Sequence, residues 1–412
     1  MKQTKLANRT LASNPVFNPA MKSLMALAIL GAFCATAYAQ DGLPITISGF
    51  GTAALTRTDT DLAEFGRVSQ ASGVRKDFRT GVDSALGLQA TAKYSDNLSF
   101  TAQGLARKRG EKDAFTADLA WAFGKYKIND DFSVRLGRIA APIYMISDVR
   151  YVGYANTLLR PPTEMYAQVP MESINGGDIL YQHGFGDSTV TAQLAAGTTK
   201  TKSVGTIANT GMVAAQVLLE NGPFTYRIGH SQANVSIHNQ GLDQLIAAVK
   251  AARLGIADQL NVIDFKGTFT SVGLVMDYKN ILGQGEFAKR KTDTRLVPDT
   301  TSWYLMLGYR MGKFVPYYMH GDVKQDSIRD FAGLPTTGPL AGLSAGVNGA
   351  IKGGEQSTNA VGLRWDFYKS AALKVQIDRV SPRNGNGTLI NVKPGYNGQD
   401  VTVYAAAIDF VF

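Results

Sequence analysis

Residues 139–177, IAAPIYMISDVRYVGYANTLLRPPTEMYAQVPMESINGG, interrupt a chain that otherwise alternates apolar and polar residues. Just before them, Phe132-Ser133-Val134-Arg135-Leu136 is a strict two-residue repeat, and the alternation resumes after Gly177. That period puts successive side chains on opposite faces of a β-strand. The interruption has no sustained period of its own and carries Pro161, Pro162 and Pro170. Proline fixes φ, so three prolines suit a defined course rather than a loose tether. Irregular connections this long in a compact fold are usually functional.

Working outward, the two-residue period runs through the chain from Gln40 onward. Leu86, Leu88, Ala90, Ala92 and Tyr94 share one face, as do Trp303, Leu305, Leu307 and Tyr309. Val361, Leu363, Trp365 and Phe367 form another such face. Strand starts fall near Ile45, Ala85, Leu98, Phe115, Phe132, Asp178, Ser188, Met212, Phe224, Thr268, Ile281, Ser302, Phe314, Thr358, Leu373 and Val401, about sixteen in all.

A soluble sandwich and a membrane barrel both satisfy this pattern. Three observations favour the barrel. Short connections such as Lys279-Asn280 alternate with long ones, as periplasmic turns alternate with external loops. Arg107, Arg135, Arg227, Arg310, Arg364 and Lys374 sit mid-strand between apolar neighbours. Burying such a charge unpaired costs several kcal/mol, a cost that a water-filled lumen removes. Trp121, Trp303 and Trp365 all fall on expected outward faces near strand ends, where interfacial aromatics belong. The prediction is an all-β fold: a transmembrane antiparallel β-barrel of about 16 strands with long external loops. Residues 139–177 are then the loop between strands 5 and 6, folded inward to narrow an aqueous channel.

The N-terminus reads as an export signal. Met21-Lys22 precedes an apolar run from Leu24 to Phe33, and Ala37-Tyr38-Ala39 is a small-residue cleavage site. Residues 1–39 are therefore an extension plus signal, with Met21 an alternative start, and 40–412 a single domain. The lone Cys34 lies inside the signal, so the mature chain holds no disulfide and no thiolate metal site. Cleavage also removes Lys2, Lys5, Arg9 and Lys22, reducing the net charge from +9 to +5. A nucleic-acid partner loses its support. No later segment has eighteen consecutive apolar residues, which excludes a helical membrane protein.

The chain ends in VTVYAAAIDFVF, with Tyr404, Ala406, Ile408, Phe410 and Phe412 on one face. It opens with Ile45-Thr46-Ile47-Ser48-Gly49-Phe50-Gly51, and Val134-Arg135-Leu136-Gly137-Arg138 leads into the long loop. With these features the chain resembles the Gram-negative outer-membrane porin family, of the general diffusion type. The resemblance implies an integral outer-membrane protein, exported through the inner membrane and usually homotrimeric. Such a protein is a pore for passive diffusion of small hydrophilic solutes and ions, and the third external loop narrows it. Its partners are outer-membrane lipid, the diffusing solutes and the barrel-assembly machinery, which would read Tyr404, Phe410 and Phe412 in the last strand. No cofactor and no catalytic or metal site is implied. The loop lacks a clean acidic cluster of the enteric type, so the selectivity tied to that cluster does not transfer.

Two enzyme-like motifs fail on context. Gly49-Phe50-Gly51-Thr52-Ala53-Ala54 fits a dinucleotide fingerprint, but no helix or βαβ unit follows. Its glycines read as a strand face that a neighbour approaches closely. Gly342-Leu343-Ser344-Ala345-Gly346 fits a nucleophile elbow but sits in a Gly-rich loop. His183, His230, His238 and His320 show no ligand spacing. The functional candidates are charges, because pore selectivity comes from charged rings and diameter. The lumen and constriction set is Arg107, Arg135, Arg138, Asp148, Arg160, Glu164, Glu172, Arg227, Arg310, Arg364 and Lys374. Loop carboxylates facing wall arginines would form a transverse field, and the basic excess suggests weak anion preference. The alternatives are a substrate-specific channel with a track of Tyr151, Tyr154, Arg160 and Tyr166, and an outer-membrane hydrolase using Ser344. Residues 241–256 repeat apolar positions at helical spacing and read as a short helix in an external loop.

Overall fold

The computed structural model describes residues 43–412. The export signal, its cleavage site and Cys34 lie outside the described residues. Sixteen antiparallel strands follow in order. They are β1 (Ile45–Thr58), β2 (Ala85–Lys93), β3 (Leu98–Lys108), β4 (Phe115–Lys127), β5 (Phe132–Ala140), β6 (Ser173–Phe185), β7 (Ser188–Ser203) and β8 (Thr206–Asn221). They continue with β9 (Phe224–His238), β10 (Phe265–Tyr278), β11 (Ile281–Thr292), β12 (Thr300–Tyr309), β13 (Phe314–Gln325), β14 (Glu355–Tyr368), β15 (Ala371–Asn384) and β16 (Val401–Val411). Each strand pairs with its sequence neighbours, and β1 also pairs with β16, so the sheet closes into a barrel. Hydrocarbon offers no partner to an unpaired peptide group, and closure removes the open edges.

The expected strand starts hold at the turn end, except that β15 begins at Ala371 rather than Leu373. At the external end β6, β8, β10, β12 and β14 begin before the apolar alternation does, β8 at Thr206 rather than Met212. The physical reason is that the hydrogen-bond ladder continues above the lipid. There no apolar face is required, so the period disappears while the pairing persists. The β7–β8 hairpin takes this furthest: its ladder runs to Ser203↔Thr206 around a two-residue turn.

Outward side chains are apolar and uncovered. Leu136, Leu194, Ile228, Leu305 and Val361 are each about half exposed or more, which only a lipid surround would tolerate over a whole wall. Inward positions carry the polar and charged residues, including Arg107, Asp178, Arg227, Glu286, Lys374 and Asp378. Trp303 and Trp365 stand on the outward face as expected. Trp121 does not. In the β3–β4 ladder Gly104 pairs Leu119 while Gln103 pairs Trp121, leaving Ala120 as an extra residue. A bulge of one residue reverses the face of everything beyond it. Trp121 and Phe123 therefore face the lumen, where Arg135 lies 5.3 Å over the Phe123 ring.

The seam between first and last strands explains the glycines of the opening stretch. Gly51 pairs Phe410, and Gly49 exchanges backbone hydrogen bonds with Phe412. The Phe410 and Phe412 rings lie flat over these glycines, in space that a Cβ would occupy. The two rings stack on each other with centroids 6.4 Å apart.

Outside the barrel, α2 (Gln240–Ala251) confirms the helical spacing read in that loop. The label α1 belongs to a short helix, Thr163–Tyr166, inside the barrel. A further helix, α3 (Ala341–Ala350), occupies the stretch read as a flexible Gly-rich loop. Val249, Leu260, Phe331, Val347 and Ile351 bury one another between these external loops. Tertiary burial thus compensates the poor helix propensity of three glycines in α3's neighbourhood of small residues.

Filling the glycine hollow should loosen the seam. Gly51→Val is expected to lower barrel stability by about 1–3 kcal/mol in urea unfolding from vesicles. Phe410→Ala in the same chain should recover part of that loss, because it removes the ring that the new side chain meets.

Candidate functional site

Strand β5 stops at Ala140 and β6 begins at Ser173, and the Ala141 N–H bonds the Glu172 carbonyl at 3.0 Å to close the base of the segment between them. The segment is locally ordered. Ser147 Oγ accepts from the N–H groups of Ile143 and Tyr144 at 3.2 and 2.9 Å. Asn156 Nδ2 donates to the carbonyls of Val149 and Val152 at 3.1 and 3.0 Å, tying two 3-10 turns together. Pro161-Pro162 leads directly into α1. Apolar residues of the segment, Ile143, Tyr144, Leu158, Met165 and Tyr166, are buried against inward residues Phe269, Tyr304, Met306, Tyr317 and Met319. The segment thus lies inside the barrel against strands β10 to β13.

Its polar groups reach further round. The Tyr166 hydroxyl donates to Glu286, whose carboxylate also accepts from the Met145 N–H at 2.9 Å and the Tyr304 hydroxyl at 3.0 Å. Gln356 Nε2 and Thr358 Oγ1 donate to the Glu164 carboxylate at 2.6 and 2.5 Å. Burial drives the Glu164 pKa above the usual range, only partly offset by the Thr358 and Gln356 hydrogen bonds. Arg160 forks onto Asp83 at 3.0 and 2.8 Å and also contacts Asp378, all three almost fully buried. Burial pushes the Asp83 pKa up, but Arg160 and Arg67 reverse this and hold it below the ordinary value.

Lys374 has no exposed surface. Its ammonium donates to the carbonyls of Gly153, Asn156 and Leu158 at 2.7, 2.5 and 3.1 Å, and it pairs with Asp409 at 2.9 Å. Arg364 donates to the carbonyls of Tyr154 and Asn156 at 2.8 and 2.9 Å. The backbone of Gly153 comes so close to Asp409 and Thr52 that a Cβ there would overlap both side chains.

The opposite wall is less covered. Arg107 pairs with Glu172, which also accepts from the Tyr151 hydroxyl at 2.5 Å, and the guanidinium lies 4.1 Å over the Tyr151 ring. Burial alone would raise the Glu172 pKa; Arg107 and then Arg150 outweigh it and lower it to about 2. A hydrogen-bonded belt crosses β5 to β10: Arg135 on Asp178 at 2.9 Å, Gln193 on Asp178 at 2.6 Å and Gln216 on Gln193 at 2.6 Å. It ends with Arg227 on Gln216 and on Ser271, both at 2.7 Å. A cleft between this wall and the segment is lined by Gln103, Arg107, Trp121, Asp148, Arg150 and Tyr151.

The expected site residues therefore divide. Arg107 and Glu172 meet, and Arg135, Asp148 and Arg227 face the lumen. Arg160, Glu164, Arg364 and Lys374 face inward too, but they bond the segment to the wall and do not front open water. The expected gap between loop carboxylates and wall arginines is closed at these points, because desolvated charges sit in direct contact with their partners. Arg310 lies past the end of β12 and pairs with exposed Asp277 at 2.9 Å, so it belongs to the turn-side rim. Arg138 lies on the outward face opposite Asn175 and borders the cleft only where β4 runs on past the end of β5. The track of Tyr151, Tyr154, Arg160 and Tyr166 is not continuous, since Arg160 and Tyr166 are buried. Sequence reading missed Asp83, Arg150, Asp178 and Asp409. Asp409 carried a signal: it is a lone charge on an Ala-rich inward face, near Lys374 when the last two strands are aligned.

A closed barrel with an apolar exterior, a polar interior and an inserted segment is the architecture of a transmembrane channel. A sequence profile of the Gram-negative porins matches residues 26–387. No curated protein matches the sequence. The anion-selective porin from Comamonas acidovorans superposes with a TM-score of 0.54 at 15% identity, covering 89% of this chain and 99% of that one. The outer membrane channel DcaP of Acinetobacter baumannii gives 0.55 at 10% identity, with 91% and 99% covered. The trimer form of OmpT from Vibrio cholerae gives 0.54 at 11%, with 90% and 100% covered. At these identities the structures share the fold; the profile carries the family. The chain belongs to the Gram-negative porin family and is an outer-membrane diffusion channel.

Removing one partner of the buried pair should be costly. Lys374→Met leaves Asp409 buried without a counter-charge and takes a charged donor from three carbonyls, and is expected to destabilise the barrel by about 3–5 kcal/mol in urea unfolding. The Glu172 clamp behaves differently with pH. Its folded pKa is depressed, so its contribution is complete above about 4.5 and lost only as pH falls through about 2. Channel current should therefore show no clamp-dependent change between about pH 8 and pH 5, whereas Glu172→Ala should alter it throughout that range.

Proposed function

We propose that residues 141–172 form the constriction of this channel. The channel is a passive, non-enzymatic path for small hydrophilic solutes and ions, with a weak preference for anions. The observation that carries the reading is the packing and bonding of the segment against inward residues of β7 to β16, with Glu172 reaching Arg107 of β3, which leaves the passage beside the wall of β2 to β6. Within that passage Arg107 pairs with Glu172, while Arg150 donates to the Tyr166 carbonyl and forms no ion pair among the described residues, and this local excess of positive charge favours anions. Exposed Asp148 opposes it, so the preference is weak. A general diffusion pore fits better than a substrate-specific one because the aromatic track is broken by burial of Tyr166 and Arg160. The hydrolase reading lacks support: Ser344 lies within α3, and its hydroxyl makes no hydrogen bond among the described residues.

The assembly is a homotrimer. The supporting observation is the stretch of β4 above Ala122, which has no β5 partner and would otherwise present an open edge. Planar-bilayer recording tests all three statements together. Insertions should close in three equal steps, and a salt gradient should give a reversal potential of anion sign. Deleting residues 147–171 should raise the unit conductance with the barrel still assembled. An unchanged conductance would mean that the segment does not limit the path.

A further inference from the structure

The β1–β16 seam is made by strands from opposite ends of the barrel domain, whereas every other junction joins strands that are consecutive in the chain. A short turn keeps two strands close even when their ladder opens. Thr52 and Asp409, which face each other at the seam, are 357 positions apart and have no such tether. The inward side chains here are small: Ala54 faces Ala407, and Ala405 follows on the same face. Leu159 of the inserted segment fills the resulting trough, packing with Ala54, Ala405 and Ala407, so that one side chain touches both strands. Earlier in the segment, the turn Gly153–Ala155 rests on both strands as well. Gly153 lies against Thr52 of β1 and Asp409 of β16, whose side chains bond each other at 2.5 Å.

The neighbouring strand β15 guides the chain between these two contacts. Its inward residues Lys374, Gln376 and Asp378 follow one another along the strand, and the segment meets them in the same order. Lys374 takes the carbonyls of Gly153, Asn156 and Leu158, Gln376 accepts from the Leu159 N–H at 3.1 Å, and Asp378 meets Arg160. Lys374 also reaches across to Asp409 at 2.9 Å, with both side chains fully buried. Residues 153–160 therefore run along the inside of the seam and bond to all three strands that flank it.

We infer that residues 153–160 are a strap that docks after the barrel has closed and then holds the β1–β16 seam shut. The seat of the strap is incomplete before closure, because Thr52 and Ala54 come from the first strand and Ala405, Ala407 and Asp409 from the last. Once the strap is seated, parting the seam would pull Thr52 from Asp409 and uncover Leu159. This role is separate from obstruction of the channel and does not depend on whether the segment limits the current.

Hydrogen–deuterium exchange of the full barrel in detergent, read by mass spectrometry, tests the strap. Gly153→Ala adds one methyl group that meets both Asp409 and Thr52, and Leu159→Ala removes the side chain over the trough. Both variants retain the anchors that Met145, Glu164 and Tyr166 make on β11 and β14. In each, the β1 and β16 amides should exchange at least about tenfold faster than in wild type, with the β11–β12 ladder unchanged. Equal acceleration of both ladders would mean a general loss of stability and would overturn the inference. So would unchanged exchange at the seam of a folded variant. Wild type supplies a test that needs no variant. During refolding into vesicles, pulse-labelled amides of β1 and β16 should become protected before those of residues 153–160. Protection of residues 153–160 at the same time or earlier would overturn the docking order.

Discussion

The constraint on which this structure depends is that hydrocarbon accepts no unpaired peptide group. A sheet in lipid must close, and here closure falls between β1 and β16. The last strand is consequently not a peripheral element. Its Phe410 and Phe412 rings cover Gly49 and Gly51, so aromatic surface and bare backbone fit each other at the one junction made by chain ends far apart in sequence. Every side chain then has only two destinations, lipid or lumen, and the two-residue period follows from that choice.

Closure also collects the polar half of the chain in one enclosed space. Charges that could face water are instead largely consumed in fixing residues 141–172. Lys374 holds three carbonyls and Asp409, Arg160 bridges Asp83 and Asp378, and Glu286 gathers two tyrosines and a backbone N–H. Buried ion pairs of this kind contribute little net stability compared with apolar packing. Their effect is to define one position for the segment, because any shift would leave several desolvated charges without partners.

What the sequence disclosed follows the same physics. Strands beginning at Leu98, Phe132, Ser188 and Phe314 were legible because a local turn and a lipid-facing period coincide there. The external extensions of β6 and β8 were not, because above the lipid pairing continues without the period. Trp121 was misplaced because one bulged residue, Ala120, reverses its face and leaves no compositional trace. Within the site, Arg107 and Lys374 stood out as charges amid apolar alternation, and Glu172 lay within the conspicuous segment. The partners of Lys374 are backbone carbonyls more than two hundred residues away, and Arg160 reaches an aspartate in the first long loop. Such pairings depend on barrel geometry and have no local signature. Arg310 has the same one-dimensional signature as Arg364, and only strand length separates a rim residue from a lumen one.

The inserted segment also has a mechanical consequence. It is bonded to Arg107 on one side of the barrel and to Glu286, Asp378 and Lys374 across the other. A hollow cylinder deforms most easily by flattening into an ellipse, and a strut across its waist resists that mode. Flattening under lateral membrane pressure would have to break charge-assisted bonds in a desolvated interior. The cross-section of this barrel is accordingly held from within.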